Sequence, residues 1–188
     1  MSSYGSEREV QLVEELFQRI GSDISMITDR DLVVGTSTVA KETERPAGKG
    51  RVHISFRLGF EQGGELHHGC LLFPLPDAIS LACYLMMIPD DGVKSKRTLK
   101  AIDESIKDAM LEVGNFIGGA ADAAMREAIG VDAKVSSEGC QGVPGNVRPA
   151  MIYNEGESLV VGRAKATIHD YPEFDILIML PELDGVSG

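Results

Sequence analysis

DAMLEVGNFIGG, residues 108–119, is the stretch whose reading orders the rest of the chain. It lies inside a helical pattern that runs roughly from Ile102 to Ala128. Stepped at about 100° per residue, Ile102, Ile106, Met110, Val113, Ile117, Ala120, Ala121, Ala124 and Ala128 share one broad apolar face. Glu104, Asp108, Glu112, Asn115, Gly119, Asp122 and Arg126 step along the opposite face at spacings of three and four. Glu112 and Asn115 are one turn apart. A carboxylate and a carboxamide therefore point the same way from one rod, with Cβ atoms about 5–6 Å apart. Such a pair can engage a cation and a water on one small target. Gly114, Gly118 and Gly119 each cost about 1 kcal/mol relative to alanine inside a helix, so they call for a reason. Gly119, one turn beyond Asn115, leaves the surface bare and lets another backbone approach. The apolar stripe keeps its phase through Ala128, which argues against a helix end at Gly118-Gly119.

Outward from this helix, the apolar residues Val10, Val13, Leu16, Phe17, Ile20, Ile24 and Ile27 predict a first helix from about Glu7 to Ile27. Ser6 and Glu9 stand at capping-box spacing before it. LVVGTSTVAK (32–41) reads as one strand and ETERPAGKG (42–50) as a loop. RVHISFRLGF (51–60) alternates, with Val52, Ile54, Phe56, Leu58 and Phe60 on one face, which is the pattern of a half-buried strand. EQGGE (61–65) is a turn signal, and LHHGCLLF (66–73) returns as a strand. PLPDAISLACYLMMIPDD (74–91) is a short helix opened by Pro76 and closed by Pro89. After the long helix, 132–140 reads as a strand and 141–149 as a loop. ESLVVGRAKATIH (157–169) and FDILIML (174–180) read as a hairpin joined by DYPE.

Helix, three strands, short helix, helix, three strands is an α+β order with antiparallel hairpins and helices on one side of the sheet. The two halves resemble each other. ELFQRIGSDI (15–24) and EVGNFIGGAA (112–121) align as E-x-x-Q/N-x-I-G at an offset of 97 residues, Glu15 to Glu112. The expected fold is thus a single domain over 1–188. It is built from two pseudo-twofold helix–strand–strand–strand halves, about 7–75 and 100–182, with two long helices packed on one face.

The bulk numbers exclude several classes. The chain has 188 residues, is 43% hydrophobic and carries a formal net charge of −11. That charge disfavours nucleic acid, whose phosphates need a basic face, and an anionic membrane surface. Cys70, Cys83 and Cys140 are odd in number and form no CxxC, which fits a reducing compartment. The N-terminus has no secretory signal pattern and no apolar run approaches a membrane span, so the expected location is the cytoplasm. Adjacent His67 and His68 point opposite ways on a strand and have no further ligands at useful spacing, so no metal site is expected. Ser136, Ser137, Cys140 and His169 have nothing in the sequence to orient them for nucleophilic chemistry. Arg163 and Lys165 read as a solvated strand face.

The motif Asp108-x3-Glu112-x2-Asn115, followed by FIGGA, resembles the D/S-x3-E-x2-N signature of the CheC, CheX and FliY chemotaxis phosphatases. LHHGCLLFPLPDAISLACYLM (66–86) is similar to that family's strand-then-helix segment. Two departures stand out. The family often has a proline about twenty residues after the Asn, whereas here that region is VDAKVSS and the next proline is Pro144. The first half carries Glu15 and Gln18 in place of Glu and Asn. Glutamine costs more rotamer entropy to hold still, which makes this pair a degenerate second site. A single intact motif is closer to the CheX pattern than to the two-site CheC.

The resemblance implies a substrate, the aspartyl phosphate of a response-regulator receiver domain such as CheY. An acyl phosphate is already reactive, so the task is to hold one water in line with phosphorus. Asn115 can accept from that water and donate toward a phosphoryl oxygen without adding negative charge. The resemblance implies that Glu112 binds a receiver-domain lysine and that Asp108, with Gly119 beyond Asn115, belongs to the docking surface. It also implies no cofactor on this chain, with Mg2+ held by the receiver, and a possible homodimer through a sheet edge. The alternative reading is a non-catalytic flagellar-switch-like or scaffold protein that binds a signalling partner through the same helix. A third is a stand-alone ligand-sensing domain.

Overall fold

The long amphipathic stripes form the two longest helices of the protein, whose computed structural model describes residues 3–186. Helix α1 (Glu7–Thr28) starts at Ser6 in the expected capping box. The Ser6 Oγ accepts from the Glu9 amide at 3.3 Å, and the Glu9 carboxylate accepts from the Ser6 amide at 2.7 Å. Helices α2 (Leu75–Leu85), α3 (Asp90–Lys96) and α4 (Glu104–Ala123) follow the first hairpin. The end of α4 widens into a π-helical turn, Ala124–Ile129, and Gly130 closes it in the left-handed conformation. The helix therefore continues past Gly118-Gly119, but the π turn shifts the stripe: Met125 and Ile129 are buried, and Ala128, expected on the apolar face, is exposed.

Eight strands form one antiparallel sheet: β1 (Ser3–Tyr4), β2 (Leu32–Val34), β3 (Thr38–Glu42), β4 (His53–Gln62), β5 (Glu65–Pro74), β6 (Lys134–Val143), β7 (Leu159–Ile168) and β8 (Phe174–Pro181). The order across the sheet is β1-β3-β7-β8-β5-β4-β6, and β2 also pairs with β7. The fold is thus α+β with its long helices on one face, as expected. The hairpins β4–β5 and β7–β8 meet along β5 and β8, with Leu71 opposite Ile178. The strands that follow the long helices cross over. Those after α1 pair with β7, and the one after α4 pairs with β4.

Several elements differ from the sequence reading: β1 has no counterpart in it, and β6 continues to Val143 through residues that read as loop. The expected strand 32–41 is broken into β2 and β3, because residues 35–37 bulge out opposite residues 164–165. Helix α3 replaces a plain connection. Its DDGVKSK buries only Val93, too weak an apolar signal to see. Strand β4 is not half-buried: His53 and Ser55 are buried along with the apolar face.

The main core fills the space between the helices and one face of the sheet, with Phe17, Phe56, Phe60 and Phe73 its largest fully buried side chains. Burying one such aromatic is worth about 1.5–3 kcal/mol. The other face carries a smaller cluster of Cys70, Leu72, Leu159, Val161 and Met179, roofed by Met151 and Tyr153 from the 144–158 loop. On β4, the outward-facing His53 lies under Gly48 of the 46–51 loop. All three cysteines are free, and burial pushes the Cys70 thiol up to about 12. No helix among the described residues is long and apolar enough to cross a membrane.

Candidate functional site

Helix α4 is seated by the buried run Ile106, Ala109, Met110, Val113, Ile117, Ala120 and Ala121. That seating turns Asp108, Glu112, Asn115 and Gly119 outward, and all four are exposed. The α-helical hydrogen bonding is continuous through the motif, and the π turn begins two turns beyond Asn115. Asn115 Nδ2 donates to Glu112 Oε2 at 3.0 Å. A carboxylate can only accept, so this bond fixes which way the amide faces. The Asn115 oxygen is left free as an acceptor, and the second N–H as a donor. Neither Glu112 nor Asp108 forms an ion pair with any described residue, while Glu104 one turn earlier is held by Lys107 at 3.6 Å. The edge of α4 thus offers two carboxylates with no cationic partner among the described residues and an oriented amide.

The glycines divide into two kinds. A Cβ on Gly114 would meet Ser137 Oγ at 3.2 Å and Phe56 at 3.4 Å. One on Gly118 would meet the Ser137 amide nitrogen at 2.9 Å. These two let strand β6 lie close beneath the helix, a purpose that the helix pattern alone did not disclose. Gly119 has nothing within 4 Å of an added Cβ, so the surface beyond Asn115 is open.

The first-half pair sits differently. Glu15 and Gln18 are exposed on α1, but Gln18 Nε2 turns to the Val34 carbonyl at 3.4 Å. Its amide borders a shallow groove with Phe17 and residues 34–37, and the longer stem bends to the backbone instead of the neighbouring acid. The two motifs therefore present different groups to solvent.

Other residues singled out in the sequence lie apart from this pair. Asp122, on the same outer face, accepts from the Val135 amide at 2.8 Å and so anchors the start of β6. Nothing in the helical spacing signals that bond. His68 Nδ1 lies 2.7 Å from Glu138. Ser137 is under the α4 glycines, whereas His169 stands against Tyr84 and Tyr171 near Asp90. Among the described residues no group of three or more His, Cys, Asp or Glu is placed to hold a metal ion.

No protein-family model matches the chain, and no curated protein does at a significant level. Solved structures do. FliY of Thermotoga maritima superposes with a TM-score of 0.70 at 17% identity, over 94% of this chain and 91% of that one. A CheX chemotaxis protein of Desulfovibrio desulfuricans gives 0.53 at 16%, over 89% and 97%. A FliG–FliM complex of H. pylori gives 0.62 at 10%, over 93% and 91%. The chain has the fold of the CheC, CheX and FliY proteins. The resemblance drawn from the α4 motif is thereby met in three dimensions, across nearly the whole chain. CheX-like and FliY-like chains are both represented among the matches, so the fold does not choose between them.

Proposed function

We propose that the chain acts in chemotaxis signalling as a phosphatase for the aspartyl phosphate of a response-regulator receiver domain. The supporting observation is the oriented, exposed Glu112–Asn115 pair on the outer edge of α4. In this reading a receiver lysine displaces the Asn115 amide from Glu112 and takes up the carboxylate, a charge-assisted contact. The freed N–H turns to a phosphoryl oxygen, and the Asn115 oxygen holds the attacking water in line. Neutrality matters here, because a carboxylate at 115 would repel the phosphoryl group. Asp108 adds a peripheral contact. The bare backbone at Gly119 lets the receiver surface approach. Magnesium belongs to the receiver in this scheme.

The test is phosphate loss from a phosphorylated receiver domain, with Mg2+, with and without the full chain. Acceleration that saturates with protein concentration supports the reading. A second reading, a non-catalytic switch or scaffold component, draws on the likeness to the FliM chain solved with FliG and on the diverted Gln18 amide. Saturable binding of the phosphorylated receiver with no change in its decay selects that second reading and excludes the first.

A further inference from the structure

We propose that a cavity on the helix-free face of the sheet is a binding site for a mononucleotide-class ligand, a phosphate ester joined to a flat ring bearing N–H donors. The cavity has a volume of about 480 Å³ and lies between the 46–51 loop and the outer faces of β4, β5, β7 and β8. That size is typical of small-molecule sites. It is independent of the α4 motif: the side chains that build it alternate away from the helices.

Three features of the cavity select the ligand chemistry. The first is charge. Lys49, Arg51, Arg163 and Lys165 all border it, in a chain whose net charge is −11. Arg163 is held by Glu42 at 2.7 Å and Lys165 by Asp175 at 2.6 Å. Lys49 and Arg51 form no ion pair with any described residue, and both are exposed on the loop. Glu173 also borders the cavity and repels an anion, which places the phosphate by Lys49 and Arg51. An arginine and a lysine together suit a phosphate, one as a planar fork and the other as a point charge.

The second feature is His53, which is only 7% exposed. Its Nδ1 lies 2.8 Å from the Arg51 carbonyl, so Nδ1 carries the proton. Burial, the largest influence on the ring, keeps its pKa below the ordinary value and hence the ring neutral at pH 7. Nε2 is then a lone-pair acceptor. It makes no hydrogen bond to any described residue, and the ring borders the cavity. An acceptor open to the cavity complements a donor on the ligand.

The third feature is shape and polarity. Pro46 and Pro74 line the cavity together with Leu72 and Leu177, giving flat apolar surfaces for a ring. Gly48 lies directly on the imidazole: an added Cβ would come 2.3 Å from His53 Nδ1. The loop is thus moulded to the histidine. Mononucleotides combine an anion, an N–H donor and a flat body at a size that fits.

Calorimetric titration of the full chain with AMP, GMP, CMP and UMP, beside inorganic phosphate, tests the proposal. At least one mononucleotide is expected to bind saturably with a Kd under about 1 mM. Lys49→Ala/Arg51→Ala, confined to exposed loop side chains, should weaken it at least tenfold, as expected for about one or two lost charge-assisted contacts. His53→Phe keeps a ring against Gly48 but removes the acceptor, and should weaken the nucleotide and leave phosphate unaffected. Three results would overturn the proposal. They are no saturable binding of any of the four compounds, binding unchanged in the double variant, or inorganic phosphate binding as tightly as the nucleotides.

Discussion

At the scale of single residues, two side chains hold each other in place on α4. Glu112 takes one N–H of Asn115 at 3.0 Å, so the acid positions the amide before any partner arrives. In the proposed scheme Glu112→Ala removes the receiver's anchor. It should weaken binding of the phosphorylated receiver by roughly tenfold or more, the worth of a hydrogen bond to a charged group, measured by titration of a fluorescent receiver. Asn115→Asp should lose stimulated hydrolysis through repulsion of the phosphoryl group, although the side chain is nearly isosteric. Phosphate release by Asn115→Asp at the unmodified rate would show that neutrality is not needed. His53 supplies a stability prediction. Its pKa is lowered from 6.5 first by burial. Arg51 enters twice, its carbonyl bond favouring the proton and its charge opposing it, while Asp175 and Asp77 favour it. A depressed folded pKa means that the unfolded chain binds the proton more tightly. This group's stabilisation is therefore present above pH 6.5 and is lost as pH falls through the folded value. Urea unfolding from pH 7 downward should show a smaller loss of stability in His53→Phe than in the unaltered chain. Equal slopes would remove His53 from the pH dependence.

At the scale of elements, the glycines of α4 separate propensity from fit. Gly118→Ala gains helix propensity but drives a Cβ to 2.9 Å from the Ser137 amide nitrogen, a backbone atom. Overpacking of this kind costs about 1–3 kcal/mol and should leave the variant less stable. Gly119→Ala meets nothing within 4 Å and should gain up to about 1 kcal/mol. Chemical denaturation of the two variants side by side checks the opposite signs. The helical pattern placed Gly119 on the outer face, but only the strand beneath shows why position 118 is glycine. What was legible at this scale was local: the stripes of α1 and α4, the Ser6–Glu9 cap, and the apolar face of β4. What was not legible depended on tertiary pairing. The bulge between β2 and β3 answers to β7. Helix α3 buries a single valine, and β1 is two residues held by β3. Burial of His53 on the outer face of β4 comes from Gly48 in the preceding loop, which the strand's own alternation does not record.

At the scale of the whole molecule, we read the chain as two related halves, and three features support that reading. Each long helix is followed by strands that cross to the other half's hairpin. Each crossing contains an irregularity of one extra residue: residues 35–37 face 164–165, and residues 138–139 face Arg57. Gly21 and Gly118, at the same offset as Glu15 and Glu112, each bring a helix against its strand, with an added Cβ 3.0 Å from Leu32 O and 2.9 Å from Ser137 N. On this scaffold one half keeps an acid–amide pair facing solvent and the other has turned its amide to the backbone. Gln18→Ala should therefore leave receiver dephosphorylation unchanged; a loss comparable to that of a second-half variant would mean two working sites. The shared, exposed face of Glu112 and Asn115 could be read from spacing alone, but the amide's orientation and the divergence of Gln18 could not, because both depend on hydrogen bonds outside the helical repeat. The most direct test of the central claim measures, on the same phosphorylated receiver, both decay rate and affinity for the unaltered chain and for Asn115→Ala. The expected result is loss of the accelerated decay with affinity largely retained. Undiminished acceleration by Asn115→Ala would contradict the assignment of the water-positioning role to this amide.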